Sequence, residues 1–173
     1  MKTLTVISAL LFMALPALAQ DADIESMPGY VDFGALSADY GEPRVMVDLG
    51  GSLLKLVSAM KHDDPVAEQA LRSIDSVRVN VYDTAGDSTP AEERMSSVSK
   101  SLTALSWEQI VRVREEDKQV DIYVKHGDDR VHGLTVMSVD SEQAVFINVL
   151  GDIDPGTLRT VVDHVDLDVD IDL

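Results

Sequence analysis

The stretch WEQIVRVREEDKQVDIYVKHGDDRVHGLTVMSVDSEQAVFINVL, running from Trp107 to Leu150, decides the architecture of the chain. Four runs in it alternate β-branched or aromatic residues with polar ones: Trp107 to Arg114, Gln119 to Lys125, Arg130 to Ser138 and Gln143 to Leu150. Short polar turns separate them, and strands joined so tightly pair antiparallel, because a parallel pair needs a long crossover. The second half of the chain therefore reads as a β-meander.

Working back from Trp107, Thr89-Pro90-Ala91-Glu92 has the form of a capping box with proline at the first helical position. Met95, Val98, Leu102 and Leu105 then recur at spacings of three and four, which predicts a helix with one buried stripe. Val77 to Tyr82 alternates as a half-buried strand, and Val45, Val47 and Leu49 mark another, broken by Gly50-Gly51. Ser52 is placed to cap a helix carrying Leu53, Leu54, Leu56, Val57 and Met60, and Asp64-Pro65 opens another that ends near Ile74. Phe33, Leu36 and Tyr40 share one face of a helix expected over 32–40, with Gly41 as its stop. Toward the other end, Asp154-Pro155 opens a short helix with Leu158, Val161 and Val162.

The expected fold is α+β: an antiparallel sheet of about five or six strands with helices packed mainly on one face. The segment 45–60 and the segment 145–163 both read strand then helix, a faint internal two-fold repeat. Residues 28–163 form the expected single domain, after a polar segment 20–27 and before an acidic alternating tail 164–173.

Lys2 precedes an apolar run from Leu4 to Leu15, which closes on Ala17-Leu18-Ala19. That is the pattern of a cleavable signal peptide over residues 1–19, cut between Ala19 and Gln20. A 12-residue helix covers only ~18 Å of a ~30 Å bilayer core, so no stable membrane insertion is expected once the signal is removed. Without Lys2, 31 acidic side chains face 13 basic ones, a balance of -18. Such a field repels nucleic acid, so no nucleic-acid partner is expected. The chain has no cysteine, which excludes disulfides, cysteine nucleophiles and thiolate metal ligands, and also the attachment residue of a lipoprotein. The expected location is the periplasm or the outside medium.

Several stretches together resemble a bacterial exported family known as domain of unknown function 4252. They are Pro28-Gly29-Tyr30-Val31-Asp32-Phe33, Val47-Asp48-Leu49-Gly50-Gly51, Val77-Arg78-Val79 and Phe146-Ile147-Asn148-Val149-Leu150-Gly151-Asp152-Ile153, and the likeness covers about Pro28 to Val162. The resemblance implies an envelope protein, in some genomes neighbouring sigma-factor and anti-sigma genes, and supplies no catalytic residues to carry over. Many members look like lipoproteins, and this chain departs from them by lacking the cysteine.

Chemistry-bearing motifs are sparse. There is no G-x-S-x-G, no H-E-x-x-H and no phosphate loop, since Gly50-Gly51-Ser52 lacks the lysine that would follow. Its amides could hold an anion, though a capped strand-to-helix turn explains them as well. His126 and His132 flank a turn with Asp128 and Asp129, a composition that could ligate zinc or copper. Register decides the matter: a two-residue turn at 128–129 pairs His126 with Val131 and sends the imidazoles to opposite faces, whereas a turn at 128–130 pairs them directly. Asp166, Asp168, Asp170 and Asp172 line one face of the tail, but a straight strand lacks the curved loop that gathers calcium ligands. Trp107, Met46, Met60, Met95 and Met137 could line a ligand pocket, with core packing the better reading. No cofactor is expected. The functional expectation is a non-enzymatic envelope module that binds an envelope protein partner in an accessory or regulatory role. The alternatives are a binder of a small or apolar ligand between helix and sheet, and an enzyme without a recognisable motif.

Overall fold

A computed structural model of the chain describes residues 24–34, 36–60 and 71–156, with the backbone alone for 57–60. Within them the alternating runs form six strands: β1 (Val45–Gly50), β2 (Ile74–Asp83), β3 (Glu108–Arg114), β4 (Lys118–His126), β5 (Val131–Asp140) and β6 (Gln143–Ile153). They make one sheet in the order β1-β2-β6-β5-β4-β3, every neighbouring pair antiparallel. The meander is as expected, and β6 joins it to the β1–β2 pair.

Because side chains alternate across a strand, each strand sends residues to two cores. Tyr82, Tyr123, Met137, Val139, Ala144 and Phe146 enter one. Val120, Ile122, Val124, Leu134, Val136 and Val149 enter an aliphatic core on the other face.

Helices α1 (Ser37–Tyr40), α2 (Gly51–Met60) and α3 (Thr89–Ala104) do not share one face of this sheet. Ala91, Met95, Val98 and Leu102 of α3 pack into the first core, whereas Leu54 of α2 packs into the aliphatic one. The expectation of helices mainly on one face is corrected by connectivity. Both neighbours of β2 are strands already, so the chain leaving it must cross a sheet face to start β3 at the far edge, and α3 makes that crossing. The short link from β1 into α2 carries no such constraint.

The helix expected over 32–40 is also shorter than its apolar spacing suggested. Gly34 takes a left-handed φ of 65°, and the Asp32 carboxylate accepts the Gly34 N–H at 2.7 Å, so residues 31–34 are kept out of a helix and α1 begins only at Ser37. Phe33 and Leu36 still reach the core, Phe33 lying 5.3 Å from Phe146 between ring centroids. Buried Asn148 pins this strap: its Oδ1 accepts the Val31 N–H at 3.1 Å, and its Nδ2 donates to the Gly29 carbonyl at 3.0 Å. Gly29 crosses so close to β5 that an added Cβ would sit 1.9 Å from the His132 carbonyl oxygen.

The start of α3 is shifted one residue from the expected capping box. Ser88 is the cap, and its hydroxyl meets Glu92 at 2.6 Å, while the Asp87 carboxylate accepts the Thr89 N–H. The Tyr40 hydroxyl accepts the orphan Ala91 N–H at 3.1 Å and donates to the Asp87 carbonyl at 2.8 Å. Leu105 falls past the helix end and is exposed, outside the stripe it was expected to complete. Met46 is likewise exposed, whereas Trp107, Met95 and Met137 are buried as core residues.

Tyr40→Phe should therefore cost about 1–3 kcal/mol, the net worth of the two hydrogen bonds lost, in urea unfolding. Burial first, then the charges of Asp87, Asp39 and Glu92, raise the Tyr40 pKa above its ordinary 10.0, against the lowering effect of the Ala91 amide. Below pH 10 the phenol is neutral in both states and this contribution is complete. As pH climbs through the raised folded value the unfolded chain ionises first and stability falls, a decline that Tyr40→Phe should make shallower.

The segments 45–60 and 145–163 occupy unlike places, β1 at an edge and β6 between β2 and β5. The helix expected after Pro155 lies outside the described residues beyond 156. So do residues 61–70 of the helix from Asp64-Pro65, whose described end at Leu71 and Arg72 is helical, together with the signal segment with Ala19 and Gln20 and the tail with Asp166, Asp168, Asp170 and Asp172.

Candidate functional site

The β3–β4 hairpin sets charge into a sheet face. Its register places Arg112 opposite Asp121 and Arg114 opposite Gln119. Asp121 interrupts an otherwise apolar run, Val120 to Val124, and its side chain is only 1% exposed. A buried carboxylate demands partners, and four groups supply them. Arg114 Nη2 donates to Oδ2 at 2.7 Å, Ser99 Oγ to Oδ2 at 3.1 Å and Gln109 Nε2 to Oδ1 at 2.9 Å, while Arg112 Nε stands 3.6 Å from Oδ1.

Helix α3 forms the opposite wall. Ser96, Ser99, Lys100 and Thr103 recur at helical spacing on the flank beside the buried stripe of Met95, Val98 and Leu102, and Met95 itself reaches the cleft. Between helix and hairpin lies an open cleft of about 510 Å³, floored by Asp121 and Tyr123. A second hollow of about 530 Å³ shares Glu92, Ser96, Lys100 and Gln119 with it, so the depression continues along the helix.

The electrostatics of the cleft differ from those of the chain. Three cations, Lys100, Arg112 and Arg114, face two carboxylates, Glu92 and Asp121, in a protein of net charge -17. Asp121 accepts three hydrogen bonds and has Arg112 alongside Oδ1 at 3.6 Å, so its acceptor capacity is largely spent within the protein. Arg114 also donates to the Val113 and Val120 carbonyls and is held in place. Among the described residues no group accepts a hydrogen bond from Arg112 or Lys100. These donors, with the Ser96 hydroxyl, can receive an anionic group.

The residues singled out at the β4–β5 turn are not brought together as one ligand set. Gly127 N–H bonds the Arg130 carbonyl across a two-residue turn at 128–129, and His126 pairs with Val131 as the first of the two registers required. Gly133, not His132, then pairs with Lys125, so His132 is bulged out of the ladder. His126 Nε2 meets Glu108 Oε2 of β3 at 3.0 Å. His132 lies over Gly127 and borders a separate cavity of about 190 Å³ with Met27, Pro28, Asp75, Gly151 and Asp152. Asp128 and Asp129 are exposed at the turn, and among the described residues no three acidic or imidazole groups converge as a metal site. At Gly50-Gly51-Ser52, α2 begins at Gly51, so Ser52 lies in the first turn and not at the cap, and Gly51 packs against the Asp75 backbone.

The cleft was missed in the sequence because its parts look ordinary singly. Its signal was the lone aspartate in an apolar strand, across one short turn from a pair of arginines at i and i+2.

No curated protein and no solved structure matches this chain. The model of one family, described as a domain of unknown function (DUF4252), matches residues 40–161. That span takes in both walls of the cleft and all six strands of the sheet, and the chain belongs to this family.

Proposed function

We propose that the chain is a non-enzymatic binding module of the bacterial envelope, and that the cleft between α3 and the β3–β4 hairpin receives an acidic segment of a protein partner. The observation that carries this reading is the pairing of a carboxylate largely spent within the protein with unsaturated cations. Asp121 fixes Arg114 and draws Arg112 alongside, while the Arg112 fork and the Lys100 ammonium keep free donors at the mouth. The hollow that continues along α3 suits an extended segment better than a compact molecule. Export rests on the basic-apolar-small pattern of residues 1–19 and on the family resemblance.

A small carboxylic acid on the same cations is the second reading, favoured by a volume in the usual range of ligand pockets. Fluorescence anisotropy with a labelled hexaglutamate peptide tests the cleft, and affinity capture from an envelope extract tests for the partner. Lys100→Glu should weaken the peptide at least about 10-fold, equivalent to about 1.4 kcal/mol, and release the captured partner while thermal melting stays unchanged. Capture that is indifferent to Lys100→Glu would overturn the reading. Competition by free glutarate, with nothing captured, would favour the small acid.

A further inference from the structure

The two edges of the sheet are unequally protected. β3 carries three charges among its seven residues, and its ladder is interrupted between Gln109 and Val111. Charge and irregularity of this kind keep an edge from pairing with another chain. β1 has neither defence: Val45-Met46-Val47-Asp48-Leu49-Gly50 holds one charge and no proline, and its pairing with β2 runs unbroken from Val45 to Gly50. Met46 is 65% exposed, the most open of the large apolar side chains among the described residues, and Val45 beside it is 42% exposed.

The sequence of this edge is complementary to itself. In an antiparallel pair of two β1 strands centred on Met46, Met46 lies opposite Met46, Val45 opposite Val47, and Arg44 opposite Asp48 twice over. A slip of one residue in either direction separates Arg44 from Asp48 and puts Met46 against a valine. A slip of two sets Asp48 or Arg44 against Met46. Cross-strand neighbours of opposite charge and matched apolar pairs both stabilise a sheet, so one register stands out. Arg44 reaches inward across β2 to Gln143 Oε1 of β6 at 2.9 Å, a single exposed bond that it exchanges for the facing carboxylate when a second strand arrives.

From this edge we infer that a second copy of the chain pairs with it, β1 against β1 about a two-fold axis through Met46, extending the sheet across both molecules. Closed two-fold contacts of this kind use the same patch on each partner. The high negative charge of each copy opposes association at low salt, and screening at physiological ionic strength relieves it. The inference is independent of the α3 cleft and uses none of its residues.

Sedimentation equilibrium at physiological salt, on the exported chain over roughly 1–100 μM, tests it together with engineered cysteines. A dimer is expected. Asp48→Arg and Arg44→Asp should each raise its dissociation constant more than about 10-fold by setting like charges face to face, and the double swap should restore it. Should a charge reversal disturb folding, Met46→Lys at the exposed position should still give a folded monomer by circular dichroism. The chain has no native cysteine, so Met46→Cys is a clean reporter. The facing Cα atoms would be ~4.5–5.5 Å apart, within disulfide range, and mild oxidation should yield a covalent dimer where Ile110→Cys on the other edge does not. A chain monomeric throughout, a double swap that fails to restore association, or equal cross-linking at both edges would overturn the inference.

Discussion

Gly29→Ala is expected to destabilise the domain by about 3 kcal/mol, a large effect for the addition of one methyl group. The new Cβ would meet the His132 carbonyl oxygen at 1.9 Å, its carbon at 2.5 Å and Gly133 Cα at 2.8 Å. All three are backbone atoms, which cannot swing aside as a side chain can. Gly133 is hemmed in the same way by Gly29 and by Trp107, so the strap and β5 touch backbone to backbone. Two responses are open. If the strand ladder yields, the β5 pairing on both sides is strained, at a cost of the order of 1–3 kcal/mol or more. If the strap lifts, Val31 and Phe33 leave the core and Asn148 loses its bonds to Val31 and Gly29. Burial at roughly 1.5–3 kcal/mol per large side chain, with about 1 kcal/mol for each hydrogen bond, makes that route at least as costly. Urea unfolding of Gly29→Ala beside Gly50→Ala checks this, because an added Cβ at Gly50 meets nothing within 4 Å. Gly50 is not among the glycines of positive φ, so its variant should change stability by no more than about 0.5 kcal/mol. Equal losses would mean that the approach of Gly29 to β5 contributes nothing.

Much of the sheet was legible because period-two alternation needs no tertiary information. Each expected strand of the second half appears within a few residues, and the strand at 77–82 extends to Ile74–Asp83. What alternation leaves open is which distant strand is a neighbour. The pairing of β2 with β6 joins residues about seventy positions apart, and no turn connects them to set the register. Faces of helices are similarly non-local, and so α2 and α3 were assigned together although they pack on opposite sides. The strap shows a different failure. Phe33, Leu36 and Tyr40 recur at helical spacing, but Gly34 in the left-handed region and the Asp32 side chain on its amide keep residues 31–34 out of a helix, and alternation of Val31 and Phe33 does the burying. The cleft could have been reached by arithmetic alone. A turn between strands ending at Arg114 and starting at Gln119 sets Arg112 opposite Asp121, as observed. Its other wall could not, since Ser96, Ser99, Lys100 and Thr103 read simply as the solvated side of an amphipathic helix.

Arg114→Ala is the second change expected to be costly, at about 3 kcal/mol, and its comparison with Asp121→Asn tests how the cleft is held. Removing Arg114 leaves the Asp121 carboxylate buried with Ser99, Gln109 and a more distant Arg112. Stranding a buried charge costs 3–5 kcal/mol in fully enclosed pairs, and the lower end applies because the Arg114 side chain is 41% exposed and water can enter where it stood. Asp121→Asn keeps the shape and removes the charge. The amide oxygen at the Oδ2 position can still accept from Arg114 and Ser99, but its NH₂ takes the place of Oδ1 and turns a donor toward Gln109 Nε2, so that contact becomes a clash of hydrogens. That loss should be smaller, about 1–2 kcal/mol, the worth of a hydrogen bond to a charged group. The double variant is expected to cost less than the sum of the singles, because with the carboxylate neutralised the missing guanidinium no longer strands a charge. Urea unfolding of the four proteins closes the cycle. A coupling energy near zero would show that Asp121 does not depend on Arg114, and the pre-organised cations at the mouth of the cleft would then lack the anchor assigned to them.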